Sequence, residues 1–173
     1  MTVDATPVPP ESAEILIVDD TINNLKLLSD MLTSSGFCVR KARNGVMALT
    51  AVTTKHPDLI LLDIKMPQMD GYEVCRHLQA DSATQSIPII FLSALDDAFD
   101  KVKAFDLGAV DYVTKPFQKT EVLKRIQHQL RLQYLTRRLN HQNETLEEAL
   151  KYLKENQAEI VQKAKILSLN QLI

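Results

Sequence analysis

The 173-residue sequence predicts a doubly wound α/β fold, a five-stranded parallel sheet covered on both faces by helices, with a long C-terminal α-helix attached. Three observations carry this expectation. Short apolar runs alternate five times with stretches whose apolar residues recur at helical spacing. Two of the runs end directly in aspartate, at "ILIVDD" and "LILLD". No proline or glycine follows Phe117, so nothing in the last third of the chain interrupts a helix.

Each element can be justified in order. "EILIVDD" (14–20) is an apolar run of strand length closed by two acids. Residues 23–36 place Leu25, Leu28, Met31 and Leu32 on one helical face, and Gly36 marks the stop. "FCVRKA" (37–42) is a second strand, and 44–56 a second helix that Pro57 is expected to end. "DLILLD" (58–63) is the third strand, turning on Pro67 and Gly71 into a third helix over 72–81. "IPIIFLSA" (87–94) is the fourth strand and "AFDKVKAFDLG" (98–108) the fourth helix. "AVDYVTKPF" (109–117) holds the fifth strand and its exit turn, and a long helix begins near Lys119. Right-handed crossovers leave few topologies open to such a chain.

Composition narrows the class. Hydrophobic residues make up 45% and charged residues 24%, the balance of a soluble globular chain. Residues 1–117 carry 10 Lys/Arg against 16 Asp/Glu, a net of −6, whereas 118–173 carry 10 against 6, a net of +4. The acidic part is therefore where a site is expected. The interspersed charges of the basic part read as a solvated helix face rather than a nucleic-acid surface. No apolar run approaches the roughly 20 residues of a membrane span. The start, "MTVDATPVPPE", has no signal-peptide pattern and reads as a flexible leader over 1–12. Cys38 and Cys75 have no metal or redox spacing and are expected to be small buried hydrophobes in a reducing, cytoplasmic setting. The four histidines show no ligand spacing and read as solvated.

A parallel sheet of this kind binds ligands beyond the carboxyl ends of its strands. Asp19 and Asp20 end the first strand, Asp63 the third and Ser93 the fourth, and Lys115 follows the fifth. Three carboxylates brought together repel one another, and a hard divalent cation such as Mg²⁺ resolves that repulsion. Lys115 adds a positive charge and Ser93 a hydroxyl donor, so the set can neutralise a phosphoryl group in transfer. Asp63, a charge placed directly after a buried run, is the expected nucleophile, because a carboxylate accepts a phosphoryl group as an acyl phosphate. The plain alternative for Asp19 and Asp20 is a helix N-cap.

In order and spacing, "ILIVDD", "LILLDIKMPQMDG", "IIFLSA" and "DYVTKPF" resemble the receiver domain of two-component response regulators over about residues 13–133. The resemblance implies the flavodoxin-like strand order 2-1-3-4-5. It implies that Asp63 is the phosphoacceptor, and that Asp19 and Asp20 organise Mg²⁺. Direct coordination would come from Asp20, Asp63 and the backbone carbonyl of Lys65. It also implies that Ser93 bonds the phosphoryl oxygen, that Lys115 pairs with it ahead of a cis Pro116, and that Tyr112 is the aromatic switch residue. The implied partner is a cognate histidine kinase or phosphotransfer protein, and the implied role is phosphorylation-controlled signalling rather than turnover of an external substrate. A haloacid-dehalogenase-like hydrolase would resemble D-x-D after the strand, but Lys65 stands two residues past Asp63. A scaffold that has lost the chemistry would lack part of the acidic pocket, which is complete in this sequence.

Beyond the receiver, residues 134–173 read as a coiled-coil linker helix. Leu132, Leu139, Leu146, Leu153, Ile160 and Leu167 recur every seven residues. The second seam is either Leu135, Gln142, Ala149, Asn156 and Lys163, or Thr136, Asn143, Leu150, Gln157 and Ala164, which leaves the register open. A parallel homodimer would bury the leucine line; folding the helix back on the receiver is the alternative. In the resembled family such helices precede output modules, so a downstream output domain is expected, or else a stand-alone receiver that signals through protein contacts.

Overall fold

The computed structural model describes residues 13–94 and 106–170. Five strands, β1 (Glu14–Val18), β2 (Cys38–Ala42), β3 (Leu59–Asp63), β4 (Ile89–Ser93) and β5 (Asp111–Thr114), pair in parallel in the order β2-β1-β3-β4-β5. The helices are α1 (Ile22–Thr33), α2 (Gly45–Thr54), α3 (Gly71–Ala80) and α4 (Lys119–Asn170). The fold is thus the doubly wound one expected from sequence, with the strand order that the resemblance implied. The leader and most of the fourth helix expected at 98–108 lie outside the described residues.

Alternation along the strands sorts the core into two layers. Leu16, Val18, Ile60, Leu62, Ile89 and Phe91 face α2 and α3, packing with Ala48, Val52, Val74, Cys75 and Leu78. Ile15, Ile17, Leu59, Leu61, Ile90, Leu92 and Val113 face the other way, onto Leu25, Leu28 and Leu32 of α1 and Val122, Ile126 and Leu130 of α4. A run such as "LILL" must be continuously apolar because each residue is buried on one face or the other.

Three local expectations are adjusted. Helix α2 stops at Thr54, before Pro57, and Arg40 bonds the carbonyls at that end: Nη1 donates to Ala51 O and Nη2 to Lys55 O. Helix α1 ends at Thr33, and Gly36 follows with φ +91°, where its lack of a Cβ lets the chain turn into β2. Cys75 is buried as expected, but Cys38 is exposed: it opens the edge strand β2, which pairs only with β1 and is covered incompletely. His56, His77, His128 and His141 are all exposed.

The chain divides into two compact units, Met1–Gln133 and Tyr134–Ile173. Within the second, the helix is polar on most of its surface. Among the described residues no helix is long and apolar enough to cross a membrane.

Candidate functional site

The carboxyl ends of β1, β3, β4 and β5 line one edge of the sheet. Asp19 and Asp20 continue β1, Asp63 closes β3, Ser93 closes β4, and Lys115 follows β5. A cavity of about 180 Å³ lies there, lined by Asp20, Asp63, Lys65, Ser93 and Lys115 together with Thr21, Ile64, Leu92 and Ala94. One carboxylate oxygen from each of Asp19, Asp20 and Asp63 lies within 4.8 Å of the others.

Asp19, Asp63 and Lys115 are held by hydrogen bonds to their neighbours. Asp19 is fully buried, and its Oδ1 accepts the Thr21 N–H at 2.8 Å. Its Oδ2 accepts from Asn24 Nδ2 at 2.9 Å and from Lys115 Nζ at 3.1 Å. The N-cap of α1 is Thr21, not either aspartate, so the plain capping alternative does not describe this pair. Lys115 Nζ also donates to Asp63 Oδ1 at 2.9 Å, so one ammonium ties the ends of β1 and β3 together. The strand end that carries Lys115 is held by its backbone N–H on Ser93 O at 2.8 Å, and the Lys115–Pro116 peptide is cis. The Ser93 hydroxyl is buried and has no hydrogen-bond partner among the described residues. A buried polar atom left in that condition calls for a ligand or water.

Electrostatics follow from this packing. Burial pushes the Asp63 carboxyl above its ordinary pKa, opposed by the Lys115 hydrogen bond and reinforced by the Asp19 and Asp20 charges. For Lys115, burial acts downward, but its bonds and attraction to Asp63 and Asp19 prevail and hold the ammonium above its ordinary value. Lys115 offsets one of the three carboxylate charges, leaving a surplus of two, the charge that one divalent cation carries. Oxygen donors in such a cluster are those that Mg²⁺ prefers, so the residues present fit that ion. Asp20 is the most open of the three carboxylates, and Lys65 is exposed two residues past Asp63.

Tyr112, the expected switch, is half-buried in β5 and packs against the α2/α3 layer of the core. It does not line the 180 Å³ cavity. The heptad residues lie elsewhere, on α4.

Sequence reasoning missed the role of Gly71. A Cβ at this position would lie 2.3 Å from the Asp63 carbonyl oxygen and 2.9 Å from the Ile64 Cα. The Gly71 N–H donates to Ile64 O at 2.9 Å, which draws the start of α3 onto the strand end that carries Asp63. That start is stiffened by a capping box: Asp70 Oδ1 accepts the Glu73 N–H at 2.8 Å and Glu73 Oε2 accepts the Asp70 N–H at 3.0 Å. The D-G-x-E pattern could have signalled the cap, but nothing in the sequence reports the close approach. Because the obstructing atoms are backbone, Gly71→Ala is expected to lower stability by about 2–3 kcal/mol. A chemical denaturation series on the two proteins measures it, and an unchanged midpoint would show that the strand end yields freely.

Comparison with known proteins agrees with this geometry. Residues 15–127 match the family profile of the response regulator receiver domain. The chain is 50% identical over 117 residues to the Probable transcriptional regulator ycf27 of Cyanidium caldarium, covering 68% of this chain and 46% of that protein. It is 41% identical over 115 residues to the Response regulator PleD of Caulobacter vibrioides, covering 66% of this chain and 25% of PleD. The chain therefore spans about half the length, or less, of these relatives. The solved structure of the chemotaxis response regulator CheY4 of Vibrio cholerae superposes with a TM-score of 0.65 at 30% identity, covering 68% of this chain and 98% of that one. Receiver domains are phosphoacceptor signalling domains that bind Mg²⁺ at an acidic pocket. By its matched span, its fold and its relatives, the chain belongs to the response regulator receiver domain family.

Proposed function

We propose that residues 13–133 form a cytoplasmic receiver that takes a phosphoryl group onto Asp63 from a cognate histidine kinase or phosphotransfer protein. Residues 134–173 would pass the resulting state on through a dimeric helix to an output domain or partner protein. The observation that carries this reading is the cluster of three carboxylates around one lysine, with a surplus of two negative charges and, beside it, a buried Ser93 hydroxyl without a hydrogen-bond partner among the described residues.

The chemistry follows from those groups. An Asp63 carboxylate oxygen forms a bond to phosphorus as the phosphorus–nitrogen bond of a phosphohistidine donor breaks. The electron pair leaves on the imidazole nitrogen, which takes up a proton. Asp19, Asp20, Asp63 and the Lys65 carbonyl would hold Mg²⁺, which supplies positive charge for the phosphoryl oxygens. Lys115 then turns from Asp63 toward the transferred group, and the Ser93 hydroxyl donates to one of its oxygens. The same pocket hydrolyses the acyl phosphate when water attacks phosphorus, so the only reaction is the making and loss of its own modification. As the β4 and β5 ends move toward the phosphoryl group, the Tyr112 ring follows inward.

Incubating the full chain with acetyl phosphate and Mg²⁺ is expected to add the mass of one phosphoryl group, read by intact mass spectrometry. Chelating the metal should prevent the addition. Labelling that proceeds equally well with a chelator present would remove Mg²⁺ from this reading.

The helix seam supports the dimer. Leu132, Leu139, Leu146, Leu153, Ile160 and Leu167 are between 46% and 67% exposed in the single chain. A buried leucine contributes about 1.5–3 kcal/mol, so six positions on each of two helices can outweigh the cost of association. Light scattering is expected to give a dimer for residues 1–173 and a monomer for a chain ending at Gln133. A monomeric full chain at tens of micromolar would end the coiled-coil proposal, and a dimer that survives truncation would move the interface onto the receiver.

A further inference from the structure

Tyr112 stands three residues before Lys115, in the strand that positions the pocket lysine. The guanidinium of Arg125, from the first turns of α4, lies over its ring at 5.3 Å from the centroid. Guanidinium groups are attracted to aromatic faces, and the planar fork leaves further donors free to bond in its own plane. Two carboxylates use those donors. Asp111 Oδ1 accepts from Nη1 at 2.6 Å, and Glu121 Oε1 accepts from Nε at 3.1 Å while lying 3.1 Å from Nη2. Asp111 Oδ1 also accepts the backbone N–H of Tyr112 at 2.8 Å. The arginine is therefore held from two sides, by the residue before the tyrosine and by the preceding turn of its own helix, and it covers the ring between them. Arg125 is remote from the acidic pocket and lines neither of the cavities beside Asp20.

We infer that Arg125 is a positioning residue, a clamp that holds the Tyr112 ring in place and opposes its inward movement when Asp63 is phosphorylated. This rests on the receiver reading, since it concerns how that pocket is read out. A ligand shifts an equilibrium only by its differential affinity for two states, and linkage makes the effect reciprocal. If the clamp favours the state without a phosphoryl group, removing it must tighten the binding of any group that draws Tyr112 inward. Because Arg125 belongs to α4 and Asp111 to β5, release of the clamp also loosens one polar tie between that helix and the strand, which gives the pocket a route toward the helix.

The test uses the full chain carrying ¹³C-labelled tyrosine, titrated with fluoroberyllate in the presence of Mg²⁺, with the Tyr112 ring signal assigned by Tyr112→Phe. Arg125→Gln is expected to bind fluoroberyllate about five-fold more tightly than the wild-type chain. Before any addition, its Tyr112 signal should already be displaced toward the position seen in the bound wild-type chain. Affinity for Mg²⁺ alone should be unchanged, which a general disturbance of the pocket would not allow. Asp111→Asn, which loosens one grip without touching α4, should shift affinity in the same direction by less, and Arg125→Lys, which keeps the cation, should fall between wild type and Arg125→Gln. Equal or weaker binding in these variants, with an unmoved Tyr112 signal, overturns the clamp. If Arg125→Gln does not fold, Asp111→Asn and Arg125→Lys decide by the same criterion. A wild-type chain that binds no fluoroberyllate would instead overturn the phosphoacceptor reading, and this inference with it.

Discussion

Asp63→Asn will take up no phosphoryl group from acetyl phosphate and Mg²⁺, and in the presence of a chelator it will nevertheless melt at a higher temperature than the wild-type chain. The first effect follows from chemistry, because an amide oxygen is not the nucleophile that a carboxylate is. The second follows from the packing of the site. The raised pKa of Asp63 means that its charge is less favourable in the folded chain than in the unfolded one. That penalty is absent below the carboxyl's unfolded pKa, grows as pH rises toward the raised folded value, and is complete above it. Asparagine keeps the shape, can still accept a hydrogen bond from Lys115 and removes one of three like charges. A gain of about 1 kcal/mol, or roughly 3 °C in melting temperature, is the expected size. Saturating Mg²⁺ should narrow or reverse the gap, because the wild-type site gains binding energy that the variant lacks. A variant that labels as well as wild type would displace Asp63 from its role. One that melts lower in chelator would show that the carboxylate cluster is not under repulsion.

Lys115→Met should act in the opposite sense on stability and in the same sense on phosphorylation. Its ammonium bonds both Asp63, which is almost fully buried, and Asp19, which is completely so. Methionine fills much the same volume but leaves two carboxylates facing each other without that cation. Stripping one partner from a fully buried ion pair costs about 3–5 kcal/mol. Here 27% of the lysine side chain reaches solvent and Asp63, whose pKa is already raised by burial, can relax by binding a proton, so about 2–3 kcal/mol in metal-free buffer is the expectation. Mg²⁺ should recover much of that loss, a larger rescue than wild type shows. The rate of labelling should fall by about two orders of magnitude, the usual consequence of removing one charged donor from a transfer site. Melting curves with and without Mg²⁺, beside a time course of intact mass, separate the two effects. A variant that melts with wild type in chelator would mean the pair is already neutralised in another way.

Much of this site was legible because a parallel sheet turns sequence order into spatial order. An apolar run that ends in an acid marks a strand's carboxyl end, so Asp19, Asp20, Asp63 and Ser93 could be assigned to one rim with no contact known. Lys115 could be placed there too, but not its two hydrogen bonds, to Asp63 and to Asp19, since a flexible four-carbon side chain has no preferred partner in sequence. Gly71 looked like an ordinary turn glycine, whereas the structure gives it a steric reason that depends on where another strand's backbone passes. Cys38 was read as buried because cysteine usually is, and the edge position of β2 overrode that tendency. The capping of the end of α2 by Arg40, 11 residues from the first carbonyl it bonds, is a contact that no local rule contains. The contact of Arg125 with Tyr112 had no sequence signal, because an arginine in a helix rich in charged residues gives no sign of which ring it will cover.

The bond from Lys115 to Asp19 spans 96 positions of the chain. During synthesis from the N-terminus, Asp63 is made long before the lysine that pairs with it and before the strand that carries that lysine can join the sheet. A chain caught midway on the ribosome, or one whose last strand has detached, holds its aspartates but not the assembled pocket. On the proposed reading, the pocket that takes up a phosphoryl group is therefore assembled only when the domain is complete, and a chain lacking its last strand would not compete with finished molecules for phosphoryl groups.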